Sequence, residues 1–145
     1  MAIDNSLFNK TQSEAATILV VDDEEPVRKM MAKMLQRSGF TILEAPGGTE
    51  ALEICGQHNG IQLLITDVTM PGLNGFDLAD QVAERWPSLK ILFISGYANG
   101  YAFRRKIADR PLLGKPFTAD ELCAKVRELL GRGAPASGSG YLAAP

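Results

Sequence analysis

The chain has 145 residues, 46% hydrophobic and 22% charged, with a net charge of −2; that length suits one domain whose core needs no disulfide or metal staple. Its apolar runs are strand-sized, which excludes a membrane-spanning helix, and the longest basic run, Arg104-Arg105-Lys106, reads as a solvated helix face rather than a nucleic-acid footprint. Cys55 and Cys123 form no CxxC pair, so neither a zinc site nor a thiol-redox motif is indicated, and with His58 the single histidine a His-based metal cluster or catalytic triad is ruled out by counting.

Residues 1–16 are polar, without periodicity and without the apolar stretch of a secretory signal; a flexible arm and a cytoplasmic chain are expected. Thr17 to Val21 (TILVV) is a β-branched run suited to a strand covered on both faces. It ends in Asp22-Asp23-Glu24-Glu25. Pro26 opens a helix with Val27, Met30, Met31, Met34 and Leu35 in its apolar stripe, and Gly39 stops it. Phe40 to Ala45 is a second strand, partly alternating and so nearer an edge, and Thr49 to Gln57 is a short helix with Ala51, Leu52, Ile54 and Cys55 inward. Ile61 to Thr66 is the third strand, delivering the chain to Asp67. Asn74 caps a helix with Leu78, Ala79, Val82, Ala83 and Trp86 inward, which Pro87 ends. Lys90 to Ile94 is the fourth strand and leads to Ser95-Gly96. A marginal helix is expected over Asn99 to Ala108, weakened by Gly100. Leu112 to Gly114 is a short last strand, followed by Lys115-Pro116-Phe117. Thr118 and Glu121 form a capping box for a final helix with Leu122, Cys123, Val126, Leu129 and Leu130 inward. Residues 132–145, rich in Gly, Ala, Ser and Pro, read as a disordered tail.

Strand and helix alternate five times, which argues for a parallel sheet with helices on both faces. On such a sheet ligands collect at the carboxyl ends of the strands. Four of those ends carry Asp22 with Asp23, then Asp67, Ser95 and Lys115, each immediately after its apolar run. Capping or a local ion pair accounts for any one of them, but not for all lying at one edge. Two carboxylates ~4 Å apart repel by roughly 4 kcal/mol at an effective dielectric of about 20, so the cluster calls for a cation. Oxygen-only ligands favour Mg²⁺, and Lys115 supplies a second, fixed positive charge. A carboxylate nucleophile, a metal-binding acid pair, a hydroxyl and an ammonium are what phosphoryl transfer to Asp67 requires. Gly96 leaves room beside Ser95.

The motifs VVDDE (20–24), ITDVTMPGLNG (65–75), ISG (94–96) and KPF (115–117) resemble, in order, those of the receiver domain of two-component response regulators. The resemblance covers about residues 17–131. It implies a flavodoxin-like (βα)5 three-layer sandwich with a five-stranded parallel sheet in the order 2-1-3-4-5. It also implies that Asp67 is the phosphoacceptor, that Asp23 binds Mg²⁺ directly and Asp22 through water, and that the backbone carbonyl of Thr69 completes the protein ligands. Ser95 then matches the switch hydroxyl and Lys115 the phosphate-binding lysine, with Lys115-Pro116 cis. The expected donor is a phosphohistidine of a sensor histidine kinase or histidine phosphotransfer protein, because the chain has no catalytic histidine or ATP-binding motif. A downstream protein would then read the face formed by the fourth helix, last strand and last helix. Beyond its own phosphorylation and dephosphorylation, no enzymatic turnover is expected.

Two departures stand out. Leu112, three residues before Lys115, replaces the aromatic residue usual in the family, and Tyr97 is the nearby ring that could take over part of its role. ISGY with PLLGKPF resembles receivers of hybrid histidine kinases more than those of transcription factors, and the tail after Gly131 is too short for a DNA-binding domain. An aspartyl-nucleophile phosphatase fits less well, since Asp67-Val68-Thr69 is not a DxD motif. The remaining alternative is a phosphorylation-independent pseudo-receiver that acts only as a protein-interaction module.

Overall fold

The computed structural model describes residues 15–96 and 110–131. Within them lie five strands, β1 (Thr17–Val21), β2 (Thr41–Ala45), β3 (Ile61–Asp67), β4 (Lys90–Ser95) and β5 (Leu112–Gly114). Four helices are interleaved with them: α1 (Glu25–Arg37), α2 (Gly48–Gln57), α3 (Gly75–Arg85) and α4 (Ala119–Leu129). All pairings are parallel and the order is β2-β1-β3-β4-β5, the flavodoxin-like arrangement the resemblance implied. The expected arm up to residue 14, the helix over Asn99 to Ala108, Tyr97 and the tail 132–145 lie outside the described residues. Ala16, assigned to the arm from sequence, is fully buried, and its carbonyl accepts the Thr41 N–H at 2.9 Å.

Alternation along the central strands divides the core. Ile18, Val20 and Ile65 face one side, where Met31 and Leu35 of α1 and Leu122 and Val126 of α4 cover them. Leu19, Val21 and Leu64 face the other, against Ala51 and Cys55 of α2 and Leu78 and Val82 of α3. Each Leu or Ile buried in this way contributes about 1.5–3 kcal/mol. A third cluster, Val68, Phe76, Ala79 and Phe93, packs beside half-buried Leu112, with the two rings 5.2 Å apart. Leu112 thus supports Phe93 at the start of β5.

Helix termini follow the local chemistry expected of them. The Asn74 side chain accepts the Asp77 N–H, and Thr118 and Glu121 exchange both bonds of a capping box. Two inward assignments fail. Met30 is 43% exposed, and Ala83 is exposed as well. The buried arc of α1 contains Met31, Ala32 and Leu35, and Met30 lies roughly 140° around the helix from Leu35. The packed face of α1 is rotated toward Ala32, not singled out by periodicity, with Val27 and Met34 at its margin and Met30 beyond it.

Candidate acidic site at the carboxyl edge of the sheet

Each chemical group is placed by the end of a strand. Asp22 follows β1, Asp67 is the last residue of β3, Ser95 is the last of β4, and Lys115 follows β5. With β3 paired to both β1 and β4, Asp67 stands between the acid pair and the Ser95–Lys115 side. The Lys115 N–H donates to the Ser95 carbonyl at 2.9 Å, which extends the β4–β5 ladder past Gly114 and fixes the base of the lysine. Its Nζ then reaches back to donate to Asp67 Oδ2 at 3.1 Å and lies 4.0 Å from Asp22 Oδ2. Lys115-Pro116 is cis. Asp23, Asp67, Thr69, Ser95, Gly96 and Lys115 line a cleft of about 700 Å³ that opens to solvent.

Asp67 is buried, and its Oδ1 accepts the Thr69 N–H at 3.1 Å. The loop beyond it turns sharply: Gly72 adopts φ +74°, and the Gly75 N–H donates to the Val68 carbonyl at 2.9 Å. A Cβ on Gly75 would collide with the Asp67 carbonyl oxygen, so only glycine lets α3 begin this close to the acid. A Cβ on Gly96 would meet nothing nearer than the Lys115 stem at 3.9 Å, an ordinary contact.

Asp22 is fully buried. Its Oδ1 accepts the Glu24 N–H at 2.9 Å, while Oδ2 has no hydrogen-bond partner among the described residues. Burial raises the Asp22 carboxyl above its ordinary value; the Glu24 N–H opposes this, Asp67 adds to it, Lys115 lowers it, and Asp23 adds again. For Lys115, burial disfavours the ammonium, but the hydrogen bond to Asp67 and the charges of Asp67, Asp22 and Glu24 outweigh it and leave the group raised.

Asp22, Asp23 and Asp67 each offer an oxygen, and these oxygens lie within 4.8 Å of one another. A buried carboxylate oxygen without a partner, in an oxygen-only set, suits a hard divalent cation such as Mg²⁺. The residues fit the expected metal. Sequence reasoning located every one of these groups but missed Arg28, Glu44 and Gly75. Arg28 Nη1 donates to the Asp22 carbonyl at 2.9 Å and its Nε to Glu44 Oε1 at 3.0 Å. The available signal was a cation placed one turn into the helix that follows the acid run.

A flavodoxin-like sheet carrying an acid triad and a lysine at its carboxyl edge defines a receiver-type α/β domain. Residues 18–127 match the model of the response regulator receiver domain, and the chain belongs to that family. It is 38% identical over 121 residues to the sensor kinase CckA of Brucella abortus, covering 81% of this chain but only 13% of that kinase. It is 32% identical to the response regulator receiver protein CpdR of the same organism, covering 78% of this chain and 95% of CpdR. Among solved structures, the receiver domain of the hybrid histidine kinase CckA superposes with a TM-score of 0.68 at 35% identity, covering 79% of this chain and 99% of that one. The Vibrio cholerae chemotaxis protein CheY4 superposes with a TM-score of 0.73 at 25% identity, covering 79% and 98%. No helix among the described residues is long and apolar enough to cross a membrane.

Proposed function

We propose that this receiver domain is a phosphoacceptor in a two-component phosphorelay, with Asp67 as the nucleophile. The observation that carries this reading is the placement of Asp67 between a lysine at 3.1 Å and two further acids whose oxygens lie within 4.8 Å. The donor is a phosphohistidine on a sensor histidine kinase or histidine phosphotransfer protein. An Asp67 oxygen forms the new O–P bond, the P–N bond breaks, and the imidazole nitrogen retains that electron pair and takes up a proton. Mg²⁺ held by Asp22, Asp23, Asp67 and the Thr69 carbonyl would offset charge on the phosphoryl oxygens. Lys115, hydrogen-bonded to Asp67, would offset further charge, and Ser95 would donate to one phosphoryl oxygen.

The aspartyl phosphate carries about −1.5 to −2 charge in place of the single negative charge of the carboxylate, and its oxygens draw Ser95 toward Asp67. A face including β5 and α4 then changes its affinity for a downstream protein. A shift from mostly inactive to mostly active needs about 5 kcal/mol of differential stabilisation. The domain acts in the cytoplasm and catalyses only its own phosphorylation and dephosphorylation.

Intact mass after incubation with a small-molecule phosphodonor tests this. A single adduct is expected on the wild type, dependent on Mg²⁺ and absent from Asp67→Ala. Absence of any adduct on folded wild type would overturn the reading in favour of a phosphorylation-independent interaction module.

A further inference from the structure

Asp22 is tied down at every polar atom but one. Its N–H donates to the Ala45 carbonyl at 3.2 Å, its Oδ1 accepts the Glu24 N–H at 2.9 Å, and its carbonyl accepts Arg28 Nη1 at 2.9 Å. Among the described residues its buried Oδ2 has no hydrogen-bond partner, the nearest cation being Lys115 Nζ at 4.0 Å. Arg28 is itself held: its Nε donates to Glu44 Oε1 at 3.0 Å, and its side chain is only 12% exposed. Glu44 belongs to β2, in register with Val20 of β1, and also receives Lys29 Nζ at 3.3 Å. The guanidinium therefore spans from the edge strand to the β1–α1 turn that carries Asp22 and Asp23.

We propose that Arg28 is a positioning residue for the acid cluster, and that its clamp on the Asp22 carbonyl sets the affinity of the site for a divalent cation. The proposal rests on the reading of Asp22, Asp23 and Asp67 as a Mg²⁺ site. The three carboxylates repel one another, so an unclamped turn relieves the repulsion by swinging Asp22 and Asp23 away from Asp67 toward water. The cation must then reassemble the site at the cost of its own binding free energy. Arg28 opposes that relaxation without touching the ligand oxygens. A planar fork with donors pointing in two directions can hold Glu44 and the Asp22 carbonyl together, whereas a lysine ammonium on its flexible stem does not reproduce that geometry.

The test compares full-length wild type, Arg28→Gln, Arg28→Lys and Glu44→Gln by calorimetric Mg²⁺ titration, by the Mg²⁺ dependence of adduct formation from a small phosphodonor, and by thermal unfolding without metal. Groups that orient ligands from behind typically alter metal affinity 10–100-fold, so Arg28→Gln should raise the Mg²⁺ dissociation constant about tenfold or more. The half-saturating Mg²⁺ for adduct formation should rise in parallel, while the maximal rate at saturating Mg²⁺ stays within about twofold of wild type. Arg28→Lys should fail to restore the affinity, and Glu44→Gln should shift it in the same direction by less. An ion pair that only stabilises the fold would lower the unfolding midpoint and leave the half-saturating Mg²⁺ unmoved; that result overturns the proposal. Should Arg28→Gln not fold, an unchanged Mg²⁺ affinity in Glu44→Gln overturns it instead. Failure of the wild type to bind Mg²⁺ overturns the metal reading and this proposal with it, whereas wild-type binding with an unaltered Arg28→Gln overturns the positioning role alone.

Discussion

Lys115 donates to Asp67 at 3.1 Å across a separation of 48 residues, and it does so from a backbone pinned to Ser95. The ammonium, which also lies 4.0 Å from Asp22 Oδ2, neutralises part of the cluster before any cation or phosphoryl group arrives. Lys115→Ala should slow adduct formation about 10²-fold, the usual effect of removing one fixed charge-stabilising donor. Mg²⁺ should bind the same variant more tightly, since a competing cation is gone. Rate measurements at saturating Mg²⁺ together with calorimetry would check both.

Asp22→Asn should exchange function for stability. The raised carboxyl of Asp22 means that the folded state holds this proton more tightly than the unfolded chain. Its contribution to stability is therefore fully present below the ordinary value of 3.8 and is lost as pH rises through the raised folded value. At neutral pH without metal, the amide variant should unfold about 4 °C higher than wild type, corresponding to about 1 kcal/mol. The gap should close as pH falls toward 3.8. Added Mg²⁺ should reverse the order by stabilising the wild type alone. Thermal unfolding across pH, with and without Mg²⁺, measures all of this.

Gly75 and Gly96 should respond oppositely to alanine. A methyl at position 75 collides with the Asp67 carbonyl and lies 2.9 Å from Val68 Cα, both backbone atoms that can yield only by moving the acid. Gly75→Ala should cost about 3 kcal/mol and abolish adduct formation. Gly96→Ala, whose methyl would rest against the Lys115 stem, should stay within about 0.5 kcal/mol of wild type. Denaturant unfolding and intact mass distinguish the two.

Thr118→Ala removes one half of the capping box at the start of α4. A loss of about 1 kcal/mol is expected by denaturant unfolding, with the single phosphoryl adduct retained.

The chain sequence determined the alternation of elements and the residues of the site, for one physical reason. A strand buried on both faces is mostly apolar, with Thr66 the buried polar exception in β3, so the polar group at the end of each run marks the carboxyl edge. Asp22, Asp67, Ser95 and Lys115 were all legible in that way, and the four ordered motifs carried the sheet order by resemblance. Periodicity, however, reports how one segment divides its own faces and nothing about how closely two segments approach. The exposure of Met30 depended on which arc of α1 meets the sheet and α4. The need for glycine at Gly75 depended on how near α3 begins to the Asp67 carbonyl. The bridge from Glu44 through Arg28 to the Asp22 carbonyl depended on β2 lying beside β1. These distances arise only when the crossovers bring remote residues together, because repulsion, clamping and close approach act through space and not along the chain.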